Sequence, residues 1–440
     1  MVVQLLIENG KPTEPTSKSE SLPKNDQIEN RSQLVFDRTR KYVMTTHHPM
    51  PVALSKAEGA YIWDIEGRRY YDFTSCLSTV NIGHRHPNVL NALYDQLNQM
   101  TISIRSYHSQ ALSEYGEYIT KYFGYDKVIT LNSGNEAGEN ALRLARRWGY
   151  AVKKIPPNQA KIICSEGNFL GNTLAAVSSS TSPYCYEGYG PYMPGFETVP
   201  YNDLAALEEN IKDPCVCAFV VESIQAHHGV KVPDPGYLKG VRELCTKYNC
   251  LMVVDEAATG LGRTGKLLAC HHDNVRPDIV CIAKSLGGGM YPVSAVLADT
   301  HIMAPSYPGE LGSTYGGNPL ACRIAMAVLQ TIRDENLPQR AEIMGEFLRK
   351  EMRKLPKEIV KLIRGRGLLN AIVLHQGYSN RDICMKLKEN GLLAEVNTSN
   401  VIRLAPPLNI TMDQILDCIA IIHKTFQSIA KDISYIIPEK

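Results

Sequence analysis

The 440-residue sequence predicts an α/β fold with a mostly parallel central sheet flanked by helices, and three observations predict it. Apolar runs of strand length recur at Lys161–Cys164, Cys217–Glu222, Leu251–Val254 and Ile279–Ala283. Rich in Val and Ile and bounded by charge or glycine, they have the pattern of strands buried on both faces. Helical stretches lie between some of them, and repeated strand–helix units imply a parallel sheet with helices on both faces. The last two runs each lead into one charged residue, Asp255 and Lys284, the latter followed by Ser-Leu-Gly-Gly-Gly. Chemistry in open α/β sheets gathers at the carboxyl ends of strands. Asp255 and Lys284 are therefore expected on one rim, one strand–helix–strand unit apart.

In chain order, residues 1–32 are polar, carry Glu, Asp, Lys and Pro, and read as a disordered tail. The acidic residues there argue against a mitochondrial presequence and make the cytoplasm the expected compartment. Tyr61–Phe73 alternates on both sides of Ile65-Glu66-Gly67, the pattern of a hairpin. Asn81–Pro87 is a loop leading to a helical pattern from Val89 to Met100. Val128–Leu131 reads as a strand, followed by Ser133-Gly134-Asn135 and a helix whose apolar positions are Ala141, Leu144, Ala145 and Trp148. A strand, a Ser-Gly turn and a helix start form an anion site, because free amides and the positive helix end converge there. The alternative is an ordinary capped helix. A long helical pattern runs from Ala321 to Arg333, and Gly365–Val373 and Asn400–Pro407 belong to a smaller domain of alternating strands and helices.

Composition excludes several classes. A net charge of +2 gives no electrostatic case for nucleic acid or membrane binding, and no apolar run is long enough to cross a bilayer. The 12 cysteines show no Cys-x-x-Cys spacing and read as buried thiols of a reducing compartment. No metal is expected. The pairs His47-His48, His227-His228 and His271-His272 are neighbours, and neighbours on a strand point to opposite faces. A lysine and an aspartate on one rim suit pyridoxal 5'-phosphate: the amine forms a Schiff base with the aldehyde, and the carboxylate keeps the pyridine nitrogen protonated. The alternative is a buried structural salt bridge.

Longer motifs bear on that choice. They include Gly190-Pro-Tyr-Met-Pro-Gly195, Arg276-Pro-Asp-Ile-Val280, Tyr291-Pro-Val-Ser-Ala295, Ser313-Thr-Tyr-Gly-Gly-Asn-Pro-Leu320, Gly365-Arg-Gly-Leu-Leu-Asn-Ala-Ile372 and Ile402-Arg-Leu-Ala-Pro-Pro407. In these, and over roughly residues 33–425, the sequence resembles the class III (fold type I) pyridoxal-phosphate aminotransferases, the ornithine aminotransferases most of all. The resemblance implies a fold type I PLP-dependent transferase. Its parts are a segment at 33–77 joining a small domain, a large cofactor-binding domain at 78–327, and a C-terminal small α/β domain at 328–440. It implies a homodimer whose sites are shared between subunits. It also implies roles: Lys284 for the Schiff base, Asp255 for the pyridine nitrogen, Ser133, Gly134 and Asn135 for the phosphate, Thr314 for the phosphate of the other subunit, and Phe169 and Ala257 for the two faces of the ring.

On the substrate side the sequence departs from the pattern it resembles. His47 stands where the family has a tyrosine, Leu77 where it has a second tyrosine, and Asn172 where it has an arginine that holds ornithine's carboxylate. A neutral amide does not replace a guanidinium fork. Ala258 replaces a glutamine that touches the ring oxygen. His227 replaces a glutamate that, in the family, masks the arginine matching Arg403. Arg403 is therefore expected to be open to a substrate carboxylate at all times, with His227 an acid or base near the reacting carbon. The alternative is a tolerated loop substitution. The expected activity is transfer of an amino group from an amino acid to a 2-oxo acid such as 2-oxoglutarate, with donor specificity altered from ornithine. Racemisation, elimination, decarboxylation or cyclisation on the same cofactor is one alternative; a non-catalytic homologue is another.

Overall fold

The computed structural model describes residues 31–398 and 400–432. The predicted tail therefore lies outside the described residues up to residue 30, while Arg31 and Ser32 already belong to the helix Arg31–Tyr42. The chain divides into two compact units. One ends at Ser55 and includes Asp64–Arg68; the other comprises Lys56–Trp63 and Arg69–Lys440. In the first, Ser32 Oγ donates to Glu66 Oε1 at 2.6 Å, fixing the start of that helix.

The strands form three sheets. The first contains β1 (Leu54–Glu58), β2 (Tyr61–Asp64), β3 (Arg69–Asp72) and, from far along the chain, β13 (Leu392–Leu393). The central sheet contains β4 (Lys127–Leu131), β5 (Lys161–Ser165), β6 (Phe196–Val199), β7 (Val216–Glu222), β8 (Leu251–Asp255), β9 (Ile279–Ile282) and β10 (Ser294–Ala298). Its order is β4-β10-β9-β8-β7-β5-β6. The five strands from β6 to β9 pair in parallel, and β10 is antiparallel to both β9 and β4. The mostly parallel sheet is thus present. β7, β9 and β10 are buried along their whole length, as unbroken apolar runs require when helices cover both faces. The helix Gly134–Ala151 supplies one cover, burying Ala141, Leu144, Ala145 and Trp148 against β7, β9 and β10.

The third sheet contains β11 (Val360–Arg366), β12 (Leu369–Leu374), β14 (Glu395–Val396) and β15 (Val401–Leu404), antiparallel in the order β11-β12-β15-β14. The helices Pro319–Asp334 and Met412–Ala430 are long, and the second opens with a capping box at Thr411 and Gln414. No described helix is long and apolar enough to cross a membrane.

One expectation is corrected. The link from β8 to β9 is a turn-rich loop with a 3-10 turn at Ala269–Asp273, where a helix was expected. Gly262 and Gly265 sit at φ +86° and +96°, which a helix does not allow. Arg263 between them is buried and anchors the loop by donating to Asn81 Oδ1 at 2.7 Å, Leu368 O at 3.0 Å and Pro406 O at 2.5 Å.

Candidate active site

Three carboxyl ends of parallel strands meet at one rim. Register places Glu222 at the end of β7 beside Asp255 at the end of β8, and Asp255 beside Cys281 of β9. Lys284 follows β9 at once, in a 3-10 turn with φ +48°. That left-handed conformation costs a residue with a Cβ roughly 1–2 kcal/mol, and it aims the amine back over the sheet rim. Alternation separates the neighbouring acids. Glu256 turns away from the cavity and is satisfied by Ser223 Oγ at 2.7 Å and the Cys270 amide at 2.8 Å.

A cavity of about 140 Å³ is lined by Gly134, Asn135, Phe169, Glu222, His227, Asp255, Ala257, Ala258, Thr259 and Lys284, among others. A second, of about 390 Å³, shares Gly134 and Lys284 with it and adds Thr79, Asn132, Ser133 and Tyr291. Lys284 Nζ lies 3.5 Å from His227 Nε2. The His227 ring lies on Phe169, with centroids 4.3 Å apart.

Burial sets the protonation states. It brings the Lys284 amine down to about 8, helped by the Arg403 charge and opposed by Asp255, Glu222 and Glu395. It lifts Asp255 to about 6 against the Ala257 amide, which donates at 2.8 Å, and against Lys284. Glu222 is pushed well above the usual carboxyl range by burial and then by Asp255, and its Oε2 has no hydrogen-bond partner among the described residues. Burial, then Lys284 and Arg403, pushes His227 down to about 2, so its ring is neutral at physiological pH.

These residues fit pyridoxal phosphate. Desolvation raises the Asp255 carboxyl more than the Ala257 amide and the Lys284 charge lower it, and a protonated pyridine nitrogen would supply the further cationic partner. At the helix start, Ser133 Oγ takes the Glu136 amide and Glu136 Oε2 takes the Ser133 amide, a complete capping box. The Ala137 amide reaches Ser133 O at 3.0 Å. The first-turn amides of Gly134 and Asn135 are left over for an anion.

Other sequence-predicted residues fall elsewhere. Arg403, on β15, is fully buried behind His227, donating from Nη1 to Ala226 O at 3.4 Å. Contrary to expectation, it is not open: its guanidinium is ion-paired with the Glu395 carboxylate. The reason is register, since β14 sets Glu395 directly opposite Arg403, and a buried cation needs a counter-charge. Leu77 lies half-buried in a left-handed turn, Ser75–Ser78, packed against the Lys284 turn but outside both cavity linings. Asn172 is exposed, although Gly171 before it lines the cavity. Thr314 is exposed, and Ser313 beside it accepts from Asn132 Nδ2 at 2.8 Å. His47 belongs to the first unit, where it is exposed with Nδ1 3.0 Å from Thr46 Oγ1. Sequence reading missed Glu222 and Glu395. Glu222 carried the same signal as Asp255, a charge closing a buried strand. Glu395 carried none, because its partner lies across a strand pair.

Relatives place most of the chain. The profile of the family "Aminotransferase class-III" matches residues 42–426. The Drosophila melanogaster protein "Ornithine aminotransferase, mitochondrial" is 54% identical over 399 residues, covering 91% of this chain and 93% of its own. The Rattus norvegicus protein of that name is 52% identical over 418 residues, 94% of each. The crystal structure of the Toxoplasma gondii ME49 ornithine aminotransferase superposes with a TM-score of 0.90 at 43% identity, covering 93% of this chain and 100% of that one. The acetylornithine aminotransferase of Elizabethkingia anophelis gives 0.82 at 46% identity, covering 90% and 99%. Matched over most of its length, the chain belongs to the class-III aminotransferases, which are pyridoxal-phosphate-dependent enzymes acting on amino acids and 2-oxo acids.

Proposed function

We propose that this aminotransferase holds pyridoxal phosphate at the Lys284 rim, takes an amino group from an amino acid other than, or in addition to, ornithine, and passes it to a dicarboxylic 2-oxo acid. The observation that carries the reading is the half-buried Lys284 amine, brought down to about 8 by desolvation, lining one cavity with the Asp255 carboxyl, which is lifted to about 6. When bound, the cofactor supplies an aldehyde and an electron-withdrawing ring. Asp255 holds the ring nitrogen's proton. Gly134 and Asn135 give their amides to the phosphate, with Ser133 fixing the turn. Phe169 and Ala257 bound the ring, and Ala258 leaves room beside it. Lys284 carries a proton between the substrate carbon and its own Nζ, which a pKa near neutrality suits. His227, neutral and within reach of that Nζ, orients it. Arg403 receives the α-carboxylate or the acceptor's carboxylate.

The altered donor preference is supported by Asn172, which follows the cavity-lining Gly171 and offers no cationic fork. An imidazole held near pKa 2 is a weak base that carries no exchangeable extra proton at neutral pH, so the site gives no support to racemisation through His227. We also propose a homodimer, supported by the exposed Ile104, Tyr107 and Tyr315, the last beside Thr314. Sedimentation showing only monomer at micromolar concentration would sink that part.

The test is a visible spectrum of the purified, cofactor-loaded protein before and after adding single amino acids without a 2-oxo acid. Expected is a rapid spectral change with an α-amino acid lacking a distal amine and a slower one with ornithine. Rapid change with ornithine alone overturns the donor proposal. No cofactor spectrum at all, after loading, overturns the reading of the rim.

A further inference from the structure

We propose that Glu395 is a specificity-determining residue, a resident counter-ion that occupies Arg403 until the carboxylate of an acidic substrate displaces it. The proposal rests on the reading of Arg403 as the substrate's carboxylate site. Arg403 is fully buried, and a buried guanidinium without a counter-charge is strongly destabilising. A second buried guanidinium shows the contrast. Arg263 is equally buried but is satisfied by Asn81 and two backbone carbonyls, all neutral. Arg403 instead takes its counter-charge from Glu395, its cross-strand partner.

The geometry is that of an exchangeable contact. Arg403 Nε and Nη2, one side of the guanidinium fork, make no aligned hydrogen bond. The Glu395 contact meets this side of the fork at Nη2 alone and leaves Nε without a hydrogen bond, whereas a planar carboxylate arriving side-on matches both donors. Glu395 is also able to leave. Its side chain is 22% exposed against 1% for Arg403. It sits on β14, a two-residue strand at the edge of its sheet, so its departure toward solvent breaks little of the ladder. The exchange is felt at the reacting end, because both Arg403 and Glu395 act electrostatically on the Lys284 amine, in opposite directions.

With Glu395 in place, Arg403 is masked, and a substrate with a neutral or cationic tail enters without meeting an unpaired guanidinium. A dicarboxylate supplies its own anion and releases Glu395 to water. Removing the Glu395 charge removes the competitor.

The experiment is titration calorimetry of cofactor-loaded wild type, Glu395→Gln, Glu395→Asp and Arg403→Lys with glutarate, a dicarboxylate with no reacting group, alongside steady-state kinetics with 2-oxoglutarate. Expected is glutarate binding tightened about tenfold, equivalent to ~1.4 kcal/mol, in Glu395→Gln. The 2-oxoglutarate KM should fall by a similar factor with little change in kcat, and Glu395→Asp should fall between Gln and wild type. Unchanged glutarate affinity in Glu395→Gln, with affinity lost in Arg403→Lys, overturns the counter-ion role alone. Unchanged affinity in Arg403→Lys overturns the underlying reading of Arg403. A thermal melt of each variant shows whether it is folded, and Glu395→Asp keeps the question answerable if Gln does not fold.

Discussion

The sheet rim and the edge of the third sheet make opposite use of buried charge. On the rim, Glu222 and Asp255 end adjacent parallel strands and Lys284 lies just beyond the next, and their pKa values are displaced because burial outweighs the attraction of the carboxyls to Lys284. At the edge, Arg403 and Glu395 stand on an antiparallel pair and neutralise each other directly. The rim stores unmet electrostatic demand, which a cofactor can satisfy. The edge stores a met demand, which a substrate can only exchange. That difference teaches that the rim is built for a resident group and the edge for a passing one.

The harshest break of this comparison is Lys284→Ala. Loss of the amine is expected to lower turnover on the order of 10²–10⁴-fold and to abolish the visible spectrum of lysine-bound cofactor, while the melt stays high. A desolvated cation is removed, while the positive φ stays as costly as before, because Ala also carries a Cβ. Retained turnover with the spectrum gone would falsify the role given to Lys284.

Asp255→Asn comes next. The Asp255 carboxyl is lifted to about 6 by burial. The folded cofactor-free protein therefore binds a proton there more readily than the unfolded chain. A raised carboxyl pKa subtracts stability as pH climbs from about 4 to about 6, and the loss persists above. Asn carries no such charge, so the cofactor-free variant should gain stability relative to wild type above pH 6 and little below pH 4, measured by urea unfolding. With cofactor loaded the order reverses, and turnover should drop on the order of 10²-fold. If cofactor-free Asn variant and wild type lose stability in parallel across that window, Asp255 has a resident cationic partner after all.

These expectations also separate what the sequence disclosed from what it hid. Asp255 and Lys284 are legible because each closes an apolar run, and a strand end has a fixed address in an α/β sheet. Ser133 is legible because a cap residue precedes its helix directly. Glu395 and Leu77 are not, since one acts through a partner across a strand pair and the other sits in a left-handed turn of non-glycine residues. The helix expected between β8 and β9 fails for a related reason: Arg263 reaches into distant segments, and that tertiary demand overrides the local pattern.

His227→Gln sharpens the comparison at the point where rim and edge meet. The imidazole is held near 2 and does not titrate in the working range, whereas Lys284 titrates near 8. Capture of pyridoxal phosphate by cofactor-free protein should accelerate as pH rises through about 8, where the amine loses its proton. His227→Gln should leave that midpoint within half a unit while changing the plateau by less than about tenfold. Stopped-flow absorbance reads both. A midpoint that moves by a full unit assigns the imidazole a protonic role.

The smallest effect belongs to the anion turn, where stability and binding are separable. Ser133→Ala removes the hydroxyl that accepts from the Glu136 amide, and the reciprocal Glu136–Ser133 contact loses its complement. Loss of a cap of this type costs about 1 kcal/mol, small for a helix that buries nine residues along its length. The amides of Gly134 and Asn135 are backbone and remain. Urea unfolding should therefore show the modest loss, while cofactor affinity, followed by dialysis and absorbance, falls only severalfold. A much larger loss of affinity at unchanged stability means that the Ser133 hydroxyl itself grips the phosphate and its contact with Glu136 is a resting arrangement, as Glu395 is for Arg403. The rim would then contain an exchange of the same kind as the edge.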